Sequence, residues 1–379
     1  MASAEETSSS RHVERRVQEI GREIFAQTSS VTPRVLRAEW WEQHLLEWAM
    51  HDDRLRAQLF RFIDVLPMLH TGAAVAAHLR AYLLDGSVAL PPALETALHF
   101  DSVKSVAARI AAFAARRQVR QIARRFIAGE TLEEAKATVQ RLRAQRMSFT
   151  IDVLGEAVTS ERQADDYAVR YVELIEGLAS TAKAWPALAP IDTGPAGSLP
   201  RVNVSLKLSA LDSRFDAMAP ERSLAVVSRR LREVLRAARR CGAFVYVDME
   251  EYASKDLLLH IFRSILMEGE FRDFAHAGIV IQTYLPDAPR DLAALIDWAR
   301  ARGCPIAIRL VKGAYWDTET VHAVQRGWPC PVLTQKWETD AAFERLTAVL
   351  MQQHAYVRPA IASHNVRSLS NALALAEHY

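Results

Sequence analysis

Residues 306–317 read IAIRLVKGAYWD. The first six alternate, Ile306, Ile308 and Leu310 against Ala307, Arg309 and Val311, which is the period of a buried β-strand. A full positive charge near the end of such a strand is costly unless something anionic lies against it. Lys312 follows, then the small pair Gly313-Ala314, then the aromatics Tyr315 and Trp316. Two cations, a backbone open to close approach and flat rings describe a place for a planar, charged ligand. A strand end whose Arg and Lys simply reach solvent explains this one stretch equally well. The decision rests on what the rest of the chain repeats.

From Phe149 onward the chain alternates strand and helix. Expected strands are Phe149–Leu154, Val202–Leu208, Phe244–Glu250, Gly278–Leu285, Ile306–Val311 and Pro359–His364. Amphipathic helices fall between them, among them Glu161–Ala182, Leu224–Cys241, Leu257–Met267, Asp291–Ala301 and Ala341–Gln353, with a Pro- and Gly-rich loop over Trp185–Pro200. Repeated βα units with apolar strands mean a parallel sheet covered by helices. No G-x-G-x-x-G follows any strand and no G-x-x-x-x-G-K-[ST] occurs, so the usual nucleotide fingerprints of an open doubly wound sheet are missing. A (β/α)₈ barrel predicts that one parity faces inward and turns functional near the C-terminal strand ends. Asn203, Ser205 and Lys207 alternate with Val204, Leu206 and Leu208, and Tyr246, Asp248 and Glu250 with Val245, Val247 and Met249. Gln282, Arg309, the pair Thr150 and Asp152, and Ser363-His364-Asn365 hold comparable places on the remaining strands. One such residue is as easily a satisfied core group as a functional one. A polar end on every strand reads as an active site.

The chain before this is helical. Met1–Ser10 reads as a disordered tail, and Val13, Val17, Ile20 and Ile24 carry helical spacing. Trp40, Trp41, Leu45, Leu46 and Trp48 form an apolar stripe of helix-packing type, followed by Leu55, Leu59, Phe60 and Ile63. Further helices are expected over Ala73–Leu84, closed by Gly86, and over Leu94–Ala115 after Pro91-Pro92. Arg116–Arg125 reads as the solvated face of a helix bearing Val119, Ile122 and Phe126, and Thr131 to Glu134 as a capping box. The change of period divides the chain into a tail and helix over 1–30, a helical domain over 31–146 and a barrel over 147–379.

Composition narrows the function. At 379 residues and half hydrophobic, the chain can bury a large core, and a net charge of +2 makes no case for nucleic acid. Cys241, Cys304 and Cys330 show neither metal-ligand nor disulfide spacing, so reduced thiols in the cytoplasm and no metal are expected. No stretch has the length of a signal peptide core or a membrane span. Six βα units are legible where barrel closure takes eight, which leads us to expect an incomplete barrel from a longer protein.

FTIDVLGEA, VSLKLSAL, VYVDMEEY, GIVIQTYL, IRLVKGAYWDTE and ASHN stand in the order found in proline dehydrogenases, and the chain resembles that family. WWEQHLLEWAM and LFRFIDVLPML are similar to the helical region preceding the barrel in bifunctional proline utilization A proteins. The resemblance implies a flavoprotein (β/α)₈ barrel that oxidises L-proline to 1-pyrroline-5-carboxylate with FAD and passes electrons to a quinone. It implies catalytic roles for Asp248 and Arg309, with Lys207 and Tyr315 meeting the substrate. Met249, Gln282, Arg309, Lys312, Gly313, Ala314, Trp316, Thr334, Lys336, Ser363 and His364 would hold FAD. It also implies an aldehyde dehydrogenase domain beyond residue 379, acting on glutamate semialdehyde, and at most peripheral contact with the inner face of the plasma membrane. The family's paired-arginine motif, which grips the substrate carboxylate on the last barrel helix, is not in this sequence. Weak proline binding and turnover that is poor or absent are therefore expected of these 379 residues.

Two other readings compete. A class I aldolase barrel would form a Schiff base on Lys207 or Lys312, and a non-catalytic helical interaction module would bind no flavin.

Overall fold

The computed structural model describes residues 2–29, 52–84, 90, 95, 96, 98–124, 127–154, 158–194 and 197–379. The expected stripe Trp40, Trp41, Leu45, Leu46 and Trp48 lies outside these residues, as do Gly86, Pro91, Pro92 and Phe126. By compactness the chain divides into two units, residues 28–130 and residues 1–27 with 131–379.

Helix α1 runs Ala2–Ser29, so the segment expected as a tail continues the helix begun by the periodic residues after it. Extending an existing helix fixes one residue per hydrogen bond gained, which a run of Ala, Ser and Glu tolerates. In the 28–130 unit, α2 (Asp53–Val65), α3 (Gly72–Leu83) and α4 (Val106–Ala123) bury Leu55, Phe62, Val75, Leu79, Ala108 and Ala112 together. Asp52 and Thr71 cap α2 and α3. Of the expected helix Leu94–Ala115, residues 95, 96 and 98 are helical, the chain leaves the helix over 99–105, and α4 starts after Ser105, which caps it by accepting from Ala108 N–H at 3.1 Å.

Helix α5 (Leu132–Ala144) is capped by Thr131, which accepts from Glu134 N–H at 3.3 Å, and it lies in the same compact unit as the strands. Strand β1 (Ile151–Asp152) leads to α6 (Glu161–Ala182). The expected loop over Trp185–Pro200 contains a single-turn helix α7 (Ala189–Asp192) and an antiparallel pair, β2 (Thr193–Gly194) with β3 (Gly197–Ser198). There follow β4 (Asn203–Leu206), α8 (Pro220–Cys241), β5 (Phe244–Val247), α9 (Lys255–Leu266), β6 (Ala277–Gln282) and α10 (Ala288–Arg302). Strand β7 (Ile306–Val311), α11 (Trp316–Arg326), α12 (Lys336–Gln352), β8 (Val357–Ile361) and α13 (Val366–His378) complete the order.

The sheet order is β1-β4-β5-β6-β7-β8, every pair parallel, which is the arc of a (β/α) barrel. Strand β7 has the expected bounds, β4 and β5 are shorter than Val202–Leu208 and Phe244–Glu250, and β6 ends at Gln282 rather than Leu285; the two outer strands differ as follows. Among the described residues β1 pairs only with β4, over Ile151 and Asp152, and is shorter than Phe149–Leu154. Strand β8 begins and ends before Pro359–His364. Ala362 N–H donates to Leu310 O, so even-numbered amides face β7 and the N–H that Pro359 lacks falls on the other edge.

Period-2 alternation sorts the two faces. Val204, Leu206, Val245, Val247, Ile279, Ile281, Ile308 and Leu310 are buried with the helices in the main core, each such side chain contributing about 1.5–3 kcal/mol. Phe244, Tyr246 and Ala307, of the opposite parity, form a separate small cluster on the inner face with Ala360. Helix α1 closes on α13: Val17 and Ile20 bury with Ala374, while Arg16 pairs with Glu377 at 2.7 Å and Arg367 with Glu14 at 2.6 Å. No described helix is long and apolar enough to cross a membrane.

Candidate active site

Beyond the inner apolar cluster, the same parity turns polar toward the C-terminal strand ends, where parallel barrels keep their active sites. A cavity of about 560 Å³ opens there. Lys207 reaches it from the end of β4, Asp248 and Met249 from β5, Gln282 from β6 and Arg309 from β7. The turn after β7 adds Lys312, Gly313, Ala314 and Tyr315, the segment after β8 adds Ser363 and His364, and α12 adds Lys336. Of the residues read as site residues, Trp316 and Thr334 do not line it. The Trp316 indole N–H donates to Leu333 O at 3.0 Å on a residue that is partly exposed, and Thr334 is exposed on the adjoining segment.

Arg309 is held from two sides. Its Nη1 donates to Asp248 Oδ1 at 2.9 Å and to Ser205 Oγ at 3.3 Å, and Ser205 donates to the same Asp248 oxygen. Its guanidinium carbon lies 4.0 Å from the centre of the Tyr246 ring. A planar cation stacked on a ring and hydrogen-bonded at one edge has little rotational freedom left. Burial pushes the Tyr246 phenol up, against the pull of Arg309.

Gln282 ties three elements together. Its Nε2 donates to Glu250 O at 3.0 Å, and its Oε1 accepts from Ala314 N–H at 3.2 Å. With both ends of the amide engaged, the turn Gly313-Ala314 is fixed against β6. Gly313 has φ 140°, and a Cβ there would stand 2.4 Å from the Tyr284 ring, so no other residue fits without displacement. Glu250 turns to Ser209, accepting from its N–H at 3.2 Å and from its hydroxyl, while burial pushes its carboxyl up.

Two further carboxylates organise the cations. Asp340 on α12 bridges Lys312 and Lys336, the latter at 2.6 Å. Burial raises Asp340, but the two lysines outweigh it and hold the carboxyl below its ordinary range. Asp152 at the end of β1 accepts from Lys207 Nζ at 3.3 Å and from the Tyr171 hydroxyl at 2.7 Å. Burial pushes Asp152 up, and these two bonds pull it part of the way back.

Ser205, Asp152 and Tyr246 are visible in the sequence as inward residues but carry no assigned role, Tyr171 reads only as part of the helix Glu161–Ala182, and Asp340 falls just before the expected helix Ala341–Gln353. Parity marks Tyr246 as inward. Nothing local in the sequence marks Tyr171 or Asp340, because both act from helices.

Fold and site together define a parallel α/β barrel enzyme with a cation-rich pocket at the C-terminal mouth. A proline dehydrogenase family profile matches residues 135–379, and a proline utilization A N-terminal domain profile matches residues 14–126. The chain belongs to the proline dehydrogenase family. It is 30% identical over 259 residues to the bifunctional protein PutA of Escherichia coli K12, covering 68% of this chain and 19% of that one. It is 29% identical over 257 residues to a proline dehydrogenase of Deinococcus radiodurans, covering 68% of this chain and 69% of that one. The crystal structure of proline utilization A from Bdellovibrio bacteriovorus, inactivated by N-propargylglycine, superposes with a TM-score of 0.85 at 38% identity. That match covers 97% of this chain and 36% of the other. The chain thus spans about a fifth of the length of the bifunctional curated relatives.

Proposed function

We propose that this cavity oxidises L-proline to 1-pyrroline-5-carboxylate with FAD, the electrons passing on to a quinone. The observation that carries this reading is the convergence of Lys207, Asp248, Gln282, Arg309 and His364, from five different strand ends, on one cavity. The residues suit a flavin dinucleotide. Lys312 and Lys336 offer a paired cationic cradle for phosphate, and Arg309 presents a fixed planar cation to a delocalised anion. When bound, FAD supplies a two-electron acceptor for the hydrogen leaving the carbon beside nitrogen.

The protein's part is to bind, orient and stabilise charge. Lys207 neutralises the substrate carboxylate. Tyr315 at the mouth covers the pyrrolidine ring. Asp248, held by Ser205 and Arg309, orders the amine side. Met249, Gln282, Ala314, Ser363 and His364 complete the cofactor wall, and Trp316 and Thr334, outside the cavity, are assigned to the cofactor by resemblance alone. The Schiff-base reading fares less well: Lys207 and Lys312 each face a carboxylate, Asp152 and Asp340, an arrangement suited to binding cations rather than nucleophiles. We place the reaction in the cytoplasm, with quinone met at a membrane surface. In a longer chain of the bifunctional kind, the product would pass to glutamate-semialdehyde oxidation.

The test is anaerobic flavin bleaching. The 379-residue chain is loaded with FAD and mixed with increasing L-proline, and a single turnover suits a site of weak substrate affinity. Loss of the oxidised flavin band is expected. Failure to retain FAD, or a bound flavin that dithionite bleaches and proline does not, overturns the reading.

A further inference from the structure

We infer that Tyr171 is a positioning residue, setting the Asp152 carboxylate so that it holds the Lys207 ammonium at the mouth of the cavity for a substrate carboxylate. This rests on the proposed binding of an amino-acid carboxylate by Lys207.

The geometry is a three-part chain. Tyr171 lies on α6 with no exposed surface, and its hydroxyl donates to Asp152 Oδ1 at 2.7 Å. The other oxygen, Oδ2, receives Lys207 Nζ at 3.3 Å, and Lys207 itself lines the cavity. A phenylalanine would fill the buried site with no polar atom to satisfy, so the hydroxyl is accounted for by the carboxylate it meets. An aspartate rotates freely about its last bond unless both oxygens are engaged. With Oδ1 taken by the phenol, Oδ2 is the oxygen left for the lysine.

The alignment is set by the strands. Asp152 stands level with Ser205 in the β1–β4 register, so its side chain faces Lys207 diagonally across one strand spacing. Charge supports the arrangement. Burial pushes Asp152 toward its neutral form, and the Tyr171 bond is the first of the opposing influences. Without it the carboxyl gives up charge more readily, and its hold on the ammonium weakens. Tyr171 does not reach the cavity. Its influence is on affinity for a carboxylate rather than on the redox step.

The experiment compares the unsubstituted 379-residue chain with Tyr171→Phe and Asp152→Asn, titrating each with cyclopentanecarboxylate by ligand-observed NMR, with and without FAD. Both variants should raise the Kd about tenfold, and the double variant should add little beyond either. FAD affinity should not move. In proline-driven flavin bleaching, the half-saturating proline concentration should rise while the limiting rate changes less than about twofold. A merely structural role would lower the melting temperature and leave the Kd where it was. Should Tyr171→Phe fail to fold, Asp152→Asn, whose side chain is partly exposed, carries the same expectation. Binding by the unsubstituted chain with unchanged Kd in the variants overturns this inference alone. Absence of binding by the unsubstituted chain overturns it together with the proposed function.

Discussion

Arg309 reaches Asp248 across an intervening strand: their nitrogen and oxygen lie 2.9 Å apart although β7 and β5 are both neighbours of β6 and not of each other. The crossing is possible because the residue on β6 level with Tyr246 is Gly278, which leaves room for the Tyr246 ring to spread beneath the guanidinium. A long planar cation on a flat support spans a distance that a shorter side chain cannot.

Replacing Arg309 by Met keeps the length and removes the charge. Asp248 then keeps Ser205 but loses its Arg309 partner, and the planar cation that would stabilise negative charge developing beside it is gone. Flavin reduction by proline should slow by about 10²- to 10³-fold, the range seen when a preorganised charge-stabilising donor is lost. Stopped-flow bleaching checks this, and a rate within a few-fold of the parent would remove Arg309 from the mechanism.

Gly278→Ala probes the support. The added Cβ would stand 2.4 Å from Tyr246 Cε1 and 3.0 Å from Ala307 O, so the ring must move or the strands part. Overpacking of this kind costs about 1–3 kcal/mol. A drop in the urea midpoint together with slower flavin reduction is expected. Loss of stability with an unchanged rate would mean that Arg309 does not depend on the ring.

Gln282→Leu removes the clamp between β6 and the Gly313-Ala314 turn. Glu250 O is left buried and unpaired, at about 1–3 kcal/mol, while Ala314 N–H, on an exposed residue, loses its side-chain partner at smaller cost. FAD affinity, measured by ultrafiltration, should fall along with stability. Retained affinity would show that the turn is held by its own backbone bonds, such as Tyr284 N–H to Lys312 O at 2.8 Å.

Acid should weaken the fold through Asp192. The Arg143 guanidinium, bonded to both carboxylate oxygens, pulls Asp192 down from 3.8 to about 2. A depressed folded value means that the stabilisation is full above pH 3.8 and is lost as pH falls toward 2. The difference in unfolding free energy between the parent and Asp192→Asn should therefore shrink through that window. Urea midpoints measured from pH 5 to pH 2 test it, and a constant difference would be against it.

What residues reveal in sequence depends on whether their effect is local. Inward parity exposed Lys207, Asp248, Gln282 and Arg309 because strand alternation is a property of neighbouring residues. Gly313 was legible as a place of close approach. The ring that makes it obligatory, Tyr284, was not, because that contact depends on how the turn after β7 folds back over the end of β6. Trp316, in the motif after β7, and Thr334, just before α12, are both assigned to the cofactor by resemblance yet stand outside the cavity wall, since a motif orders residues along the chain and not around a void. The tail expected before residue 11 is helical, a matter of helix propagation that hydrophobic periodicity does not report.

Alone, the sequence determined the parallel βα plan, the strand faces and the polar composition of the mouth, all consequences of a two-residue period and of burying apolar side chains. Only the tertiary structure decided who pairs with whom: Arg309 with Asp248 across β6, Tyr171 with Asp152, Lys312 and Lys336 with one Asp340. Those pairings follow from strand register and from helices returning over the sheet. Both are set by the packing of the whole barrel rather than by any stretch of it.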